Sequence, residues 1–486
     1  MRAHGSIHAP RQWLLPLLAI VAVALAARWL SWPGLATHDT VWSTREAVLG
    51  RYTTYHPLLN ALLLRALAVP FESYAVYTSL QIVLCAALFF RSLRLVAGGA
   101  GQMWPVWLSI SIWGLSLHTV LFLGLVWKDV PIAYGLCFIA ALAFAVRRNP
   151  AVQVRRIDAL LLGVSVFLCV GLRHGMAFNL VLVPLLLGAG RFLRDRRLWV
   201  PVAAALAGFL LLSVLSRSSL VSNNDVHLLK LKISAVSQPF LGAVSNKNGY
   251  TSDDYGYDER LAARVFGAGY AANYSPDYFR NDIVPQSAEE LRMAYKAILM
   301  RTATLCVLNV SQCVSGRVQM MLSTMQPSTR FGGMTFYDLG SHGDCSVVGM
   351  DVQRCDLLQR FATSERLASA DRALAWLLPR FVDTRGAIHN LLVWNLLPAL
   401  ALIAAILIWL APRHPLWIVG AFFTAQLVLP FASAMANDFR YYYFLFPFLV
   451  VFGPVLLREL AGGRGPTPPG ERTSIGGSAG GAGHGA

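Results

Sequence analysis

Asp39 sits in Thr37-His38-Asp39-Thr40, just past an apolar run from Trp13 to Trp32. Farther on, Lys128-Asp129 opens another apolar run and Arg173-His174 falls in a tight turn between two more. The stretch Asn437-Asp438-Phe439-Arg440-Tyr441-Tyr442-Tyr443 separates the last two runs, and His56-Pro57 follows Asp39 by one short segment. One carboxylate with several cations suits a reaction in which a base deprotonates an acceptor hydroxyl while the cations hold a departing phosphate. Each residue also has a plainer role. Asp39 and Asp129 are good helix caps or first-turn acids. Lys128 and Arg173 are natural interfacial anchors, His174 a hydrogen-bonded turn residue, and the tyrosines an aromatic belt. Convergence favours chemistry: Asp39, Lys128, Asp129, Arg173, His174 and Arg440 all fall at one membrane face under a topology read from other residues.

That topology starts from composition. The chain has 486 residues, 56% hydrophobic and 14% charged, with apolar runs long enough for a hydrocarbon core of about 30 Å. The reading is an all-α polytopic membrane protein. Its formal charge of +16 is spread over short links between apolar runs, so topology explains it better than nucleic acid does. The first run follows Arg2 and Arg11 as a signal peptide would, but it is long and ends in Ala26-Ala27-Arg28-Trp29, so it reads as a retained span.

Apolar runs near 12–32, 73–93, 103–120, 129–146, 158–172, 176–190, 198–216, 389–411, 415–435 and 442–458 predict about ten transmembrane helices. Arginines then set the orientation. Arg91, Arg94, Arg147, Arg148, Arg155, Arg156, Arg191, Arg194, Arg196, Arg197, Arg413 and Arg458 all fall in links on one side, which the positive-inside rule makes cytoplasmic, together with both termini. The opposite links are poor in charge, offering Lys128, Arg173 and Arg440.

The chain divides into an N-terminal membrane module over 1–216, an outer, mainly helical domain over 217–388, C-terminal membrane helices over 389–460, and a Gly-, Pro- and Ser-rich tail over 461–486. Within the first module, Pro57 to Pro70 reads as a juxtamembrane helix with Arg65 snorkelling to headgroups. In the outer domain Ala288 to Met321 reads as helix, and Asn246-Lys247-Asn248-Gly249 and Ser275-Pro276-Asp277 read as loops. Of the seven cysteines, Cys85, Cys137 and Cys169 lie in apolar runs as buried thiols. Cys306, Cys313, Cys345 and Cys355 lie in the outer domain and match no zinc spacing, so they read as two disulfides made in an oxidising compartment. Cys345–Cys355 is the natural short pair. Cys306–Cys313 then requires the helix to break near Asn309-Val310-Ser311, because seven helical residues rise about 10 Å and a bridge spans at most roughly 7 Å between Cα atoms; a helix continuous through Cys313 demands cross-pairing instead, and the connectivity stays open.

On these residues the chain resembles the GT-C superfamily of integral-membrane glycosyltransferases, which includes protein mannosyltransferases and bacterial lipid A aminoarabinose transferases. The likeness rests on His38-Asp39, His56-Pro57-Leu58-Leu59, Lys128-Asp129, Arg173-His174-Gly175 and Arg440-Tyr441, and covers about residues 10–190 and 415–458. Leu231 to Pro239, then Tyr274-Ser275-Pro276 and a long helix, is similar to the outer domain of uncharacterised bacterial members. Asp39 is not followed by Glu as in many protein mannosyltransferases, and a single proline follows His56. The resemblance implies transfer of a sugar, with inversion, from a polyprenyl-phosphate donor to a lipid, glycan or protein acceptor at the outer face of a bacterial inner membrane. It implies Asp39 as general base, Lys128, Arg173 and Arg440 on the donor phosphate, and His38, His56, Asp129, His174 and Tyr441 shaping the site. It implies no cofactor and no metal, although Asp39 with Asp129 could hold a divalent ion if they converge. Two other readings stay open: a transporter or flippase of a lipid-linked saccharide, and a non-catalytic scaffold for envelope polysaccharide assembly.

Overall fold

Apolar runs this long bury their backbone hydrogen bonds best as helices, and helix dominates the chain. The computed structural model describes residues 10–53, 56–97, 103–218, 221–222, 225–245, 254–273, 283–284, 287–325, 356–357, 359–363, 367–373, 376, 396–433 and 442–461. Its first half contains α1 (Leu14–Leu30), α2 (His38–Leu49), α3 (Leu58–Leu67), α4 (Ala75–Ala97), α5 (Trp104–Leu115), α6 (Leu117–Phe122), α7 (Asp129–Arg148) and α8 (Arg156–Leu172). Then follow α9 (Asn179–Leu187), α10 (Ala189–Arg194), α11 (Arg196–Leu215), α12 (Asp225–Ser245), α13 (Tyr255–Phe266), α14 (Tyr270–Asn273), α15 (Ala288–Leu308) and α16 (Val310–Met325). The described helices close with α17 (Leu397–Trp409), α18 (Pro415–Ser433) and α19 (Leu445–Ala461).

Among the described residues three helices, α4, α7 and α11, are long and apolar enough to cross a membrane. Apolar on every face, α7 is buried from Asp129 to Val146 and packs on α4, α8, α18 and α19. By contrast α11 lies at the rim against α8, exposing Leu206, Leu210, Leu211 and Val214. The run over 103–120 is not one helix. Ser116 is extended and accepts from the His118 amide, so α5 ends and α6 begins there.

The arginines expected on one side do gather at one end of the bundle, where Arg458 and Arg147 close helix C-termini and Arg191 and Arg197 hold the link after α7. Arg458 donates to the Ala97 carbonyl of α4 at 2.9 Å, and Arg147 to Leu185 and Leu186 of α9 at 2.8 and 3.0 Å. Arg191 bonds the Pro150 and Val152 carbonyls, and Arg197 bonds Val154 at 2.7 Å.

A second core is built by α12 to α15 around Ile233, Phe240, Val265, Leu291 and Ile298. Buried Asp258 is clamped there by Arg301 at 2.6 and 2.7 Å. Ser287 and Glu290 form a capping box that starts α15. The helix then breaks at Asn309, and Cys306 and Cys313 meet across the break as a disulfide with Cα atoms 5.2 Å apart. Cys345, Cys355 and both expected loops lie outside the described residues. Cys85, Cys137 and Cys169 are free, buried thiols. A short parallel pair, β1 (Tyr52–Thr53) with β2 (Val221–Ser222), ties the segment after α2 to the one after α11.

Candidate active site at one end of the bundle

Asp39 is positioned by α2, a helix with strong signals at both ends. Thr37 caps it, accepting from the Thr40 amide while Thr40 Oγ1 accepts from the Thr37 amide. At the other end Gly50 takes a φ of 62°, which suits glycine, and Arg65 donates to the Ala47 carbonyl at 3.2 Å. Thr37 therefore does the capping, and Asp39 sits in the first turn, where the helix dipole favours its charge.

This helix is lashed to the segment that leads into α7. Trp127 Nε1 donates to Thr37 Oγ1 at 2.8 Å, and Thr40 Oγ1 donates to the Val126 carbonyl at 2.8 Å. Leu35 and Val126 exchange backbone bonds with this crossing, Leu35 N to Gly124 O at 2.9 Å and Val126 N to Leu35 O at 2.8 Å. Gln81 of α4 holds the same strand by the Leu123 and Leu125 carbonyls at 2.9 and 2.7 Å. The approach is so close that a Cβ on Gly124 would lie 1.9 Å from Ser31 Oγ. One residue beyond Trp127 come Lys128 and Asp129.

Asp129 begins α7 and is paired with Arg173, Nη1 to Oδ1 3.2 Å, so part of the Arg173 charge is already answered by a carboxylate. The pair is mostly enclosed by protein. From the other side α3 packs on the end of α8, with Leu59 against Gly171, two residues before Arg173. His56, which precedes α3, is buried. Thus the expected Asp39, His56, Lys128, Asp129 and Arg173 belong to elements that meet at the bundle end opposite the arginine cluster.

A third acid joins them. Glu46 lies on α2 seven residues after Asp39, two turns along the same helix face, and is 7% exposed. Burial pushes its carboxyl up to about 7, against the pull of hydrogen bonds from Thr53 and the Lys128 ammonium. Glu46 thus shares a neighbourhood with Lys128, and the site holds three carboxylates in different environments: Asp39 in a helix first turn, Asp129 paired with Arg173, and Glu46 buried.

No protein-family model, curated protein or solved structure matches the chain. The site rests on its own geometry.

Other expected members fall differently. Arg440 and Tyr441 lie outside the described residues; His38 begins α2 and His174 begins a short 3-10 turn over His174–Phe178, with neither side chain described. Tyr442 and Tyr443 are no aromatic belt: both are buried, Tyr443 stacked on Phe122 with ring centroids 4.7 Å apart. Arg65 caps α2 rather than only snorkelling, because the Ala47 carbonyl at the helix end is within its reach. Among the described residues, no three His, Cys, Asp or Glu side chains gather as a metal site. Sequence reasoning missed Glu46 because it missed α2. The signals were present in Thr37-His38-Asp39-Thr40 as a capping box and Gly50 as a stop.

Proposed function

We propose that the protein is a polytopic membrane glycosyltransferase of GT-C type, moving a sugar from a polyprenyl-phosphate donor to an acceptor at the outer face of a bacterial inner membrane. The observation that carries the reading is the clamp joining the Asp39 helix to Val126 and Trp127, which puts that acid on the same framework as Lys128 and the Asp129–Arg173 pair. In this reading the ten apolar runs are spans and both termini are cytoplasmic. The arginine-capped end faces the cytoplasm, and the Cys306–Cys313 disulfide fits an oxidising outer compartment.

In the reaction Asp39 takes the proton from an acceptor hydroxyl, and the oxygen attacks the anomeric carbon from the face opposite the phosphate. The bond from that carbon to the phosphate oxygen breaks, inverting the centre, and the polyprenyl phosphate departs with the electron pair. Lys128 and Arg173 stabilise the charge it gathers, while Asp129 keeps the Arg173 guanidinium aimed. Glu46, beside Lys128, tempers the local charge with pH.

The test uses purified full-length protein, polyprenyl-phosphate sugar donors and a panel of lipid and glycan acceptors. Asp39→Asn keeps size and most hydrogen bonding, so transfer should fall by a factor on the order of a hundred or more while donor binding persists. Transfer at the parental rate would remove Asp39 as the base. A flippase or scaffold predicts that the variant keeps its activity.

A further inference from the structure

At the bundle end far from Asp39 lies a cavity of about 690 Å³, its wall carrying Arg91, Arg94, Arg148, Arg155, Asp158 and Trp13. Four guanidinium groups thus face a single carboxylate. Two of them are committed: Arg91 grips Asp158 through Nε at 2.9 Å and Nη2 at 2.5 Å, and Arg148 reaches Glu459 at 3.4 Å. The other two make no such ion pair. Arg94 lies over the Trp13 ring, 5.4 Å from its centroid, and feels Asp158 only at longer range while that carboxylate is held by Arg91; Arg155 is exposed, and among the described residues neither makes an ion pair within 4 Å. Planar guanidinium donors left over in a walled cavity focus positive potential and match phosphate geometry.

A second feature starts where the first stops. Arg91 also lines an apolar groove of about 520 Å³ between α1 and α4, walled by Leu17, Val21, Ala24, Ile82, Val83 and Ala86. Its far end is closed by Arg28, which is spent on Ser79 Oγ at 2.8 Å and the Ala75 carbonyl at 3.0 Å. From Leu17 to Arg28 is eleven residues, which at 1.5 Å per residue is about 16 Å, close to half of a hydrocarbon core of about 30 Å. The groove wall stays exposed, Val21 at 43% and Val83 at 66%. A free anion would account for the cavity and leave the groove without purpose; a lipid accounts for both.

We propose that cavity and groove together hold one anionic phospholipid of the leaflet at that end, its phosphate between Arg94 and Arg155 and one acyl chain along α1 and α4. The site is separate from the Asp39 cluster and stands whether or not the protein transfers sugar. A lipid seated there would fill the seam between α1, α4 and the start of α8.

Native mass spectrometry of the full chain in detergent, titrated with phosphatidylglycerol, phosphatidylcholine or glycerol phosphate, tests it. Phosphatidylglycerol should bind at one molecule per chain and outlast phosphatidylcholine. Arg94→Gln with Arg155→Gln should weaken it on the order of tenfold or more, and Ala86→Phe should weaken it by filling the groove. Arg156→Gln removes an equal, exposed charge outside the cavity wall and should change nothing. Because Arg94 also packs on Trp13, Arg155→Gln alone decides the matter if the double variant fails to fold. Equal retention of phosphatidylcholine, equal binding of glycerol phosphate, equal loss in Arg156→Gln, or undiminished binding in Arg155→Gln would each overturn the proposal.

Discussion

At the scale of single residues, the pairing of Asp39 with Glu46 sets the most direct expectations. Both acids project from one face of α2, yet Asp39 is in a dipole-stabilised first turn and Glu46 is buried. Burial raises the Glu46 carboxyl from 4.5 to about 7, so the folded state holds that proton more tightly than the unfolded chain does. The stability this confers is complete below the unfolded value and is lost as pH rises through the folded one. Between pH 4.5 and about 7, the parent should therefore lose thermal stability relative to Glu46→Gln, which carries no charge to bury. Unfolding midpoints followed by tryptophan fluorescence across that window check the point. Curves that run parallel for both proteins would mean Glu46 is not held neutral by its surroundings.

At the scale of elements, the crossing of 31–35 with 123–127 positions the site. It has no regular sheet, only the Leu35–Leu125 bridge and side-chain bonds from Thr40, Gln81 and Trp127. What permits it is the absence of a side chain at Gly124, where a Cβ would fall 2.0 Å from Ser31 Cβ. Gly124→Ala should cost about 1–3 kcal/mol through overpacking and shift the Asp39 helix away from Lys128. Ser31→Gly in the same chain removes both atoms of the clash and should restore most of the loss. The pair of unfolding midpoints, read as a double-mutant cycle, tests it. Additive losses would show that the crossing tolerates a methyl group by other means. The same logic of local detail governs the outer core, where Asn309 interrupts α15 and α16 and lets Cys306 meet Cys313.

At the scale of the whole molecule, two ends of one bundle differ in chemistry. One is closed by arginines on helix-end and loop carbonyls; the other carries acids and the Asp129–Arg173 pair. The proposed topology places them on opposite sides of the membrane. A cysteine at exposed Ser287, before α15, should react with a membrane-impermeant maleimide in intact cells, measured above the parent's own labelling. One at exposed Arg413 should react only after permeabilisation. The reverse pattern would invert the assigned orientation and move Asp39 to the cytoplasm.

The sequence by itself determined the helical class, the helical content of the apolar runs, the gathering of basic residues at one end and the condition for a Cys306–Cys313 bridge, a helix break near Asn309; that the break and the bridge occur was decided by the fold. Each follows from short-range rules: apolar periodicity, charge between runs, and the rise of a helix per residue. Tertiary structure decided what those rules cannot see. It decided that Arg173 is answered by Asp129, that Tyr443 stacks inside on Phe122, and that Arg65 reaches a carbonyl of α2. It also made Glu46 a buried acid beside Lys128. These depend on which surfaces meet across 18 to 321 positions of chain, and a side chain's partner, unlike its helix, is set by the fold that brings distant segments together.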